Sequence, residues 1–285
     1  MKKLVIKRKN KLTGLYFILP SLIGVAIFTL IPSIDVFIRS FQSGISREFT
    51  GLDNYYEIFS NAAFKLAAIN TIKFAFICIP LLLIISLAIA VYLNKFIKET
   101  GILRTAFLIP MAVPISSVVL IWNIIFNDNG MLNSLLNNFG MEGKDWMSTG
   151  YAFWVLVFSY IWKNLGYNIV LWLAGLNAIP KHLYEAAMID GASRWQCFKK
   201  ITIPSLKATL YIVSVLSLLN SFKVFREAYL VAGDYPDKSM YLLQHLFSNW
   251  FRELSYEKMA AASVIMAVVI FILIMFLQKV WEKQD

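Results

Sequence analysis

The sequence predicts an all-α, polytopic membrane protein with six transmembrane helices. Of its 285 residues, 59% are hydrophobic and only 15% are charged, and the mean hydropathy is +0.64. A soluble domain of this length needs far more polar surface. The apolar residues also fall in runs long enough for a helix to cross a hydrocarbon core of about 30 Å. The lipid bilayer is therefore the expected solvent of this chain.

Hydropathy gives six candidate spans. They extend approximately over Leu15 to Ile38, Ile69 to Asn94, Thr105 to Phe126, Tyr151 to Ile179, Ala208 to Tyr229, and Ala260 to Trp281. The first run is too long for a signal peptide, and no small-residue cleavage site follows it. The expected organisation is a segment 1–68 (tail, first helix and outer loop), a transmembrane core 69–281, and a cytoplasmic tail 282–285.

The distribution of Lys and Arg predicts the orientation. Alternate loops carry sixteen and seven of the 27 basic residues, and four more lie within the spans. The side with more Lys and Arg residues includes both termini. The positive-inside rule therefore predicts that both termini are cytoplasmic and that the chain lies in a bacterial inner membrane. Because the charges follow the loops rather than one continuous stripe, they indicate membrane orientation and not a nucleic-acid partner. Cys78 and Cys197 form no disulfide framework.

The connection between the fourth and fifth spans, Lys181 to Pro204, has a helical pattern of its own. Apolar and small residues recur at helical spacing up to Asp190, and Gly191 then permits the left-handed turn that ends a helix. Ser193 and Gln196 fit a capping box that begins a second helix. The segment is therefore predicted to form two short helices with a sharp bend between them. By physics alone, this segment is either a docking element or an interfacial amphipathic helix.

The same segment resembles the EAA loop of ABC importer permeases. The matching residues are Glu185, Ala186, Ala187, Asp190, Gly191, Ala192, Phe198, Ile201, Ile203 and Pro204. Ile203 stands where the family usually has Leu. The resemblance implies that this loop forms coupling helices in a cleft of an ATPase subunit. It assigns the coupling role to Glu185, Ala186, Ala187, Asp190 and Gly191.

Further matches resemble the sugar-importer branch typified by maltose and glycerol-3-phosphate permeases. They are Asn70, Thr71, Phe107, Pro110, Pro114, Trp122, Gly130, Asn133, Ala174, Gly175, Leu176, Ile179 and Pro180. One departure is Gly233 to Pro236, where the family has a different glycine-rich stretch. The resemblance implies a type I importer permease. Its partners would be a second homologous permease, two ATPase subunits, an external substrate-binding protein, the sugar and membrane lipid.

Energy must come from outside this chain, because the sequence has no phosphate-binding G-x-x-x-x-G-K-[ST] loop. We therefore expect that this chain binds no cofactor and that ATP and Mg bind to the partner ATPase. The spans hold no paired carboxylates of the kind that a proton-driven carrier buries, and Asp35 lies near the outer end of the first span. An ion-coupled carrier and a permease for glycerol phosphate or another non-sugar solute remain alternatives. We expect no enzyme, since the motifs of intramembrane hydrolysis are absent.

A substrate pathway should appear as polar residues on one face of a span. In the fourth span such residues follow i, i+3, i+4, i+7, i+8 spacing: Tyr160, Lys163, Asn164, Tyr167 and Asn168. The family resemblance adds Asn220, Ser221 and Lys223 of the fifth span. Amides can bond sugar hydroxyls and tyrosine rings can stack on a pyranose. Alternatively, these residues only pack between helices, and Lys223 and Arg226 snorkel toward headgroups.

The remaining chemistry-bearing residues point to structure. Trp122, Trp154, Trp250 and Trp281 lie near span ends and fit an aromatic belt. His182 and His245 are too isolated for a metal site, so we expect none and assign them surface or packing roles.

Overall fold

The computed structural model describes residues 16–96, 101–232 and 235–282. Over these ranges the chain is helical with turns, and the β-structure there is an isolated bridge between Gln42 and Phe49. The predicted all-α class is confirmed. The helices are α1 (Tyr16–Arg39), α2 (Asp53–Ser60), α3 (Ala62–Phe96), α4 (Gly101–Ala112), α5 (Ile115–Phe126), α6 (Met131–Asn138), α7 (Ala152–Ala178), α8 (Lys181–Ile189), α9 (Arg194–Ser205), α10 (Lys207–Ser221), α11 (Phe225–Ala232), α12 (Leu243–Arg252) and α13 (Tyr256–Glu282).

Four helical stretches in the described residues are long and apolar enough to cross a membrane, and a bent pair raises the number to five. The four are Tyr16–Arg39, Ala62–Lys95, Ile115–Asn138 and Tyr256–Lys279, and the pair is α9 with α10. Helix α7 has 27 residues and is long enough, but the polar residues in its middle lower its hydropathy. The chain is therefore a multi-pass membrane protein, and the count of six spans stays a prediction.

Two predicted spans are not continuous helices. The third was expected to run unbroken from Thr105 to Phe126, but helix α4 ends at Ala112 and α5 begins after Pro114. Pro114 has the extended ψ of 142°, and a proline ring disfavours a helical conformation in the residue before it. The fifth begins with a 64° bend between α9 and α10. It passes through a 3₁₀ turn, Phe222–Val224, before α11.

The described chain divides into two compact units, and the first combines residues up to Asn61 with Trp250–Ile270. In this unit Asn54 is buried, and its Nδ2 donates to the carbonyl oxygens of Ser40 (3.0 Å) and Gln42 (2.9 Å). These bonds fix the start of α2 to the end of α1. The basic N-terminal tail lies outside the described residues, as do positions 283–285.

The second unit, residues 62–249 with 271–285, is organised around α7. This helix packs against α3, α4 and α10. Lipid tails are as apolar as the helix surfaces, so association depends on close packing and interhelical hydrogen bonds. Both appear here: Trp172 Nε1 donates to Ser86 Oγ of α3 at 3.0 Å, and Trp122 Nε1 of α5 donates to Ser159 Oγ at 2.8 Å.

The hydrogen bond from Trp122 to Ser159 shows that the assignment of Trp122 to an aromatic belt is wrong. Trp122 is buried, as is Trp250, whereas Trp154 is exposed, and the side chain of Trp281 lies outside the described residues. His245 is buried and accepts a hydrogen bond at Nδ1 from the amide of Leu242. Its predicted packing role is confirmed.

Candidate substrate cavity and coupling loop

A polar cavity of about 150 Å³ lies within the second unit, between α4–α5, α7 and the α10–α11 junction. Its lining includes five of the eight predicted pathway residues: Tyr160, Lys163, Asn164, Asn220 and Lys223. The structure thus brings together two helices that are about sixty residues apart in the sequence. Sequence reasoning alone placed residues on each helix face but did not place the two faces against each other.

Helix geometry positions the α7 side of this cavity. Residues 160, 163 and 164 lie on adjacent turns of one face. Asn164 is half-buried, and its Nδ2 donates to the carbonyl oxygen of Tyr160 at 2.9 Å. That bond leaves its second N–H and its Oδ1 as polar groups at the cavity. The side chain therefore has hydrogen-bonding capacity for a hydroxylated ligand.

The other predicted residues serve the scaffold. Asn168 is buried, donates to the carbonyl oxygen of Asn164 and accepts a 3.2 Å bond from Ser217 Oγ of α10. Ser221 is buried and donates to its own helix at Leu218. Tyr167 is half-buried and does not line the cavity. For these three, the packing interpretation fits the geometry better than the pathway interpretation.

Tyr160 combines both roles. It lines the cavity, but its ring is buried among α3 and α7 side chains and its hydroxyl donates to the carbonyl oxygen of Ser217 at 2.6 Å. A tyrosine held in this way is a wall of the cavity and not a mobile stacking platform.

Three cations lie at the cavity wall: Lys163, Lys223 and Arg226. Lys223 is exposed and its Nζ donates to Asn220 Oδ1 at 2.9 Å. Arg226, which sequence analysis assigned to snorkelling, follows Lys223 by three residues and lines the same space. That spacing was the available signal for it. Among the described side chains, the lining includes these three cations and no carboxylate. Met111, Ile115 and Val224 complete the wall and had no polar signal in the sequence.

The loop between α7 and α10 has the two short helices that the sequence predicts. Helix α8 ends in a Schellman motif, in which Ala192 N donates to Ala187 O (2.8 Å) and Gly191 N to Met188 O (3.1 Å). Gly191 has a φ of +79°, a conformation that other residues adopt only with strain. The predicted glycine termination is confirmed.

The second helix begins with the predicted capping box. The amide of Gln196 donates to Ser193 Oγ (3.3 Å), and the amide of Ser193 donates to Gln196 Oε1 (2.7 Å). Tyr184 and Thr202 share a 2.9 Å hydroxyl bond that ties α8 to α9. The loop is therefore an internally bonded unit.

The coupling residues named by the family resemblance are accessible. Glu185, Ala186, Asp190 and Gly191 are exposed and Ala187 is half-buried. Large apolar side chains accompany them: Met188 is 60% exposed, Ile189 86% and Trp195 69%. A small-residue surface flanked by exposed apolar side chains and carboxylates suits close contact with another protein.

Long apolar helices, a cavity with polar lining and an internally bonded loop between α7 and α10 are typical of a membrane-embedded transport subunit. The family profile described as "Binding-protein-dependent transport system inner membrane component" matches residues 81–284. The chain belongs to this family. It is therefore a multi-pass inner-membrane component and a transport subunit rather than an enzyme.

Two relatives and one solved structure agree with this assignment. The trehalose/maltose transport system permease protein MalF of Thermococcus litoralis is 32% identical over 93% of this chain and 92% of its own length. The arabinooligosaccharides transport system permease protein AraP of Bacillus subtilis is 34% identical, covering 90% and 84%. A chain of a bacterial ABC transporter that imports the acidic polysaccharide alginate superposes with a TM-score of 0.84 over 99% of both chains, at 21% identity.

The family decides between alternatives that the sequence left open. An ion-coupled carrier is set aside, because members of this family work with a binding protein. The structural likeness shows the type I permease fold. The specific roles of cavity and loop residues remain predictions.

Proposed function

We propose that this chain is the transmembrane permease subunit of an ATP-driven importer of sugars or oligosaccharides, which receives its cargo from an external binding protein. The observation that carries this proposal is the cavity at which amides of α7 and α10, Asn164 and Asn220, meet. Amide and ammonium groups suit the hydroxyls of a carbohydrate. The sugar relatives support this cargo class.

The proposed complex contains a second, homologous permease and two ATPase subunits, which bind ATP and Mg. This chain would supply half of the translocation pathway. In the proposed cycle, closure of the ATPases displaces α8 and α9 through Glu185, Ala186, Ala187, Asp190 and Gly191. Because Tyr184 and Thr202 bond the two short helices together, the displacement reaches α10 and the cavity side chains that follow it. Alternating access requires such a shift between two states.

We further propose six spans with both termini in the cytoplasm. The six comprise α1, α3, α4 with α5, α7, α10 with α11, and α13. Helix α7 belongs among them because its polar positions face cavity and core: Asn168 is buried, and Lys163 and Asn164 line the cavity. Polar side chains inside a bundle are compatible with a span, whereas the same residues facing lipid are not.

The cations at the cavity support a second cargo class, an anionic carbohydrate or glycerol phosphate. Lys223 and Arg226 are both exposed at the cavity wall. A positive wall in a partly dehydrated space attracts negative charge more strongly than in bulk water. This specific observation keeps anionic cargo as the competing proposal.

One experiment tests both. The full complex, reconstituted with its ATPases and binding protein, is assayed for binding-protein-stimulated ATPase activity across neutral oligosaccharides, acidic oligosaccharides and glycerol phosphates. Stimulation by a neutral sugar supports the first proposal, and stimulation only by anions supports the second. Assembly without stimulation by any of them would reject the cargo class, and failure to assemble would reject the coupling-loop assignment.

A further inference from the structure

The short helix α2 presents a surface that the transport function does not use. Its residues divide into faces at about 100° per residue. Asn54 and Ile58 are buried within the first unit. On the opposite side Leu52, Tyr56 and Phe59 fall within an arc of about 60°. They are 53%, 71% and 56% exposed, respectively. This apolar surface, the Leu52–Phe59 face, is bordered by the polar residues Asp53, Glu57 and Ser60.

The depth of this face is fixed by its attachment to α1. Asn54 bonds the carbonyl oxygens of Ser40 and Gln42, directly after α1 ends at Arg39. Ser40 Oγ and the Tyr55 hydroxyl are 2.7 Å apart. The rings of Phe41 and Tyr55 lie 5.4 Å apart, centre to centre. Helix α2 is therefore held level with the end of α1.

Helix α1 itself has an apolar outward surface of the kind that suits contact with lipid. No described residue from Tyr16 to Arg39 is buried, and large apolar side chains face outward around it. Near its end, Ile34 and Phe37 are still exposed, and Asp35, which lies between them in the sequence, forms an ion pair with the last residue, Arg39, at 2.6 Å. An apolar helix surface that ends in charged residues marks the boundary between hydrocarbon and headgroups.

From this continuity we propose that the Leu52–Phe59 face lies in the headgroup region of the bilayer and binds phospholipid. Tyr and other amphipathic aromatic residues concentrate at this level, and short helices with one apolar face lie in its plane. The polar border then faces water, where Glu57 pairs with Lys258 at 2.6 Å. In the proposed orientation this is the outer leaflet. Helix α2 anchors the outer end of α1 at a fixed depth.

A depth measurement tests the proposal. A fluorophore is attached at Tyr56→Cys in the full chain, with Cys78 and Cys197 replaced by Ala, in vesicles of phosphatidylethanolamine and phosphatidylglycerol. A fraction of phosphatidylcholine carrying a nitroxide on its headgroup serves as the lipid quencher, and iodide as the aqueous quencher. The matched control is Asp53→Cys on the polar border. Phe59→Cys provides a second reporter if the first variant folds poorly.

We expect the labels at Tyr56 and Phe59 to be quenched several-fold more by the lipid nitroxide than the label at Asp53, and several-fold less by iodide. Adding the external binding protein should change neither value. Equal iodide access at all three positions would overturn the proposal. Shielding of Tyr56 that appears only with the binding protein would also overturn it and would assign the face to protein docking. Neither outcome depends on transport or cargo.

Discussion

At the scale of single residues, the polar positions of α7 separate into two groups. Asn164 lines the cavity and keeps hydrogen-bonding capacity, whereas Asn168, one turn later, is buried and bonded to Ser217 of α10. The sequence spacing put both on one face and could not separate them, because a few tens of degrees decide which side chain meets a neighbouring helix. The two amides form a matched pair for mutation.

Asn164→Leu should lower binding-protein-stimulated transport while leaving expression and thermal stability unchanged. Asn168→Leu should instead destabilise the protein by about 1 kcal/mol, because Ser217 loses its interhelical acceptor. Uptake by vesicles and the aggregation temperature in detergent measure the two effects. Unchanged transport in the Asn164 variant, with the protein normally inserted, would remove that residue from the pathway.

Lys223→Gln should separate the two cargo classes. If the cargo is anionic, loss of a nearby cation should cost roughly 1–2 kcal/mol in apparent affinity, about 5- to 30-fold. For a neutral sugar the change should be small, since glutamine still offers a donor to hydroxyls. The half-saturating cargo concentration for stimulated ATPase activity is the readout. Lys238→Gln, at a residue that does not line the cavity, is the control.

At the scale of elements, the geometry of α8 and α9 is determined by the helix ends that face each other. The Schellman motif and the capping box fix the bend between them at Gly191 and Ser193. Both signals were readable from sequence because they depend on local backbone geometry. The exposed face of the loop was not predictable in this way, since the exposure of Met188 and Ile189 depends on the whole chain.

Glu185→Lys should abolish cargo-stimulated ATPase activity while the permease still inserts, since it reverses a charge on the exposed surface that we propose for docking. His182→Lys, also exposed on α8, adds a positive charge without removing the carboxylate and should retain most activity. Co-purification with the ATPases distinguishes lost docking from lost coupling. Wild-type activity in the Glu185 variant would exclude the assigned role.

Gly191→Ala places a side chain at a φ of +79° and should destabilise the bend by about 1–2 kcal/mol. Gly191→Pro, whose ring fixes φ near −65°, should abolish uptake. Both variants should be found in the membrane in normal amounts, as judged by immunodetection. If the proline variant transports normally, the bend is not part of coupling.

A second element-scale feature is the contact of α7 with α4 at Gly166. A Cβ at this position would collide with the carbonyl oxygen of Phe107. Because that atom belongs to the backbone, the helix itself would have to move. Small residues allow this kind of close approach between membrane helices.

Gly166→Ala should therefore reduce the yield and thermal stability of the folded permease. Gly150→Ala is the matched control, since an added Cβ there meets nothing within 4 Å. Detergent-stable, monodisperse protein measured by size-exclusion chromatography reports the difference. Equal behaviour of the two variants would mean that α4 and α7 separate without cost.

At the scale of the whole molecule, hydropathy and family motifs predicted the class of fold and function but not the helix breaks. Pro114 carried a visible signal, yet a proline within an apolar run either kinks or ends a helix, and neighbouring packing decides. The bend at Leu206 comes two residues after Pro204, and here too the proline alone did not decide between a kink and a helix end. The cavity could not be predicted from sequence because its walls come from helices far apart in the chain. Arg226 lines it because of the geometry between α10 and α11, whereas Ser221 bonds its own helix and does not line it.

The proposed orientation is tested on the full chain. A fluorescent protein fused to the C-terminus should fluoresce, and a periplasmic phosphatase fused at the same point should be inactive, because the proposed orientation places that terminus in the cytoplasm. The opposite result would require an odd number of spans or an inverted insertion.

The separation of Asn164 from Asn168 has an evolutionary consequence. The bonds that hold α7 to α10, from Tyr160 and Asn168 to Ser217, do not include Asn164, Asn220, Lys223 or Arg226. If these four cavity residues contact the cargo as proposed, a lineage can exchange them one at a time and change its cargo while the bundle that carries them stays folded. Divergence of cargo among related permeases would then proceed through viable intermediates, and new nutrient preferences would arise without a concurrent loss of insertion or assembly.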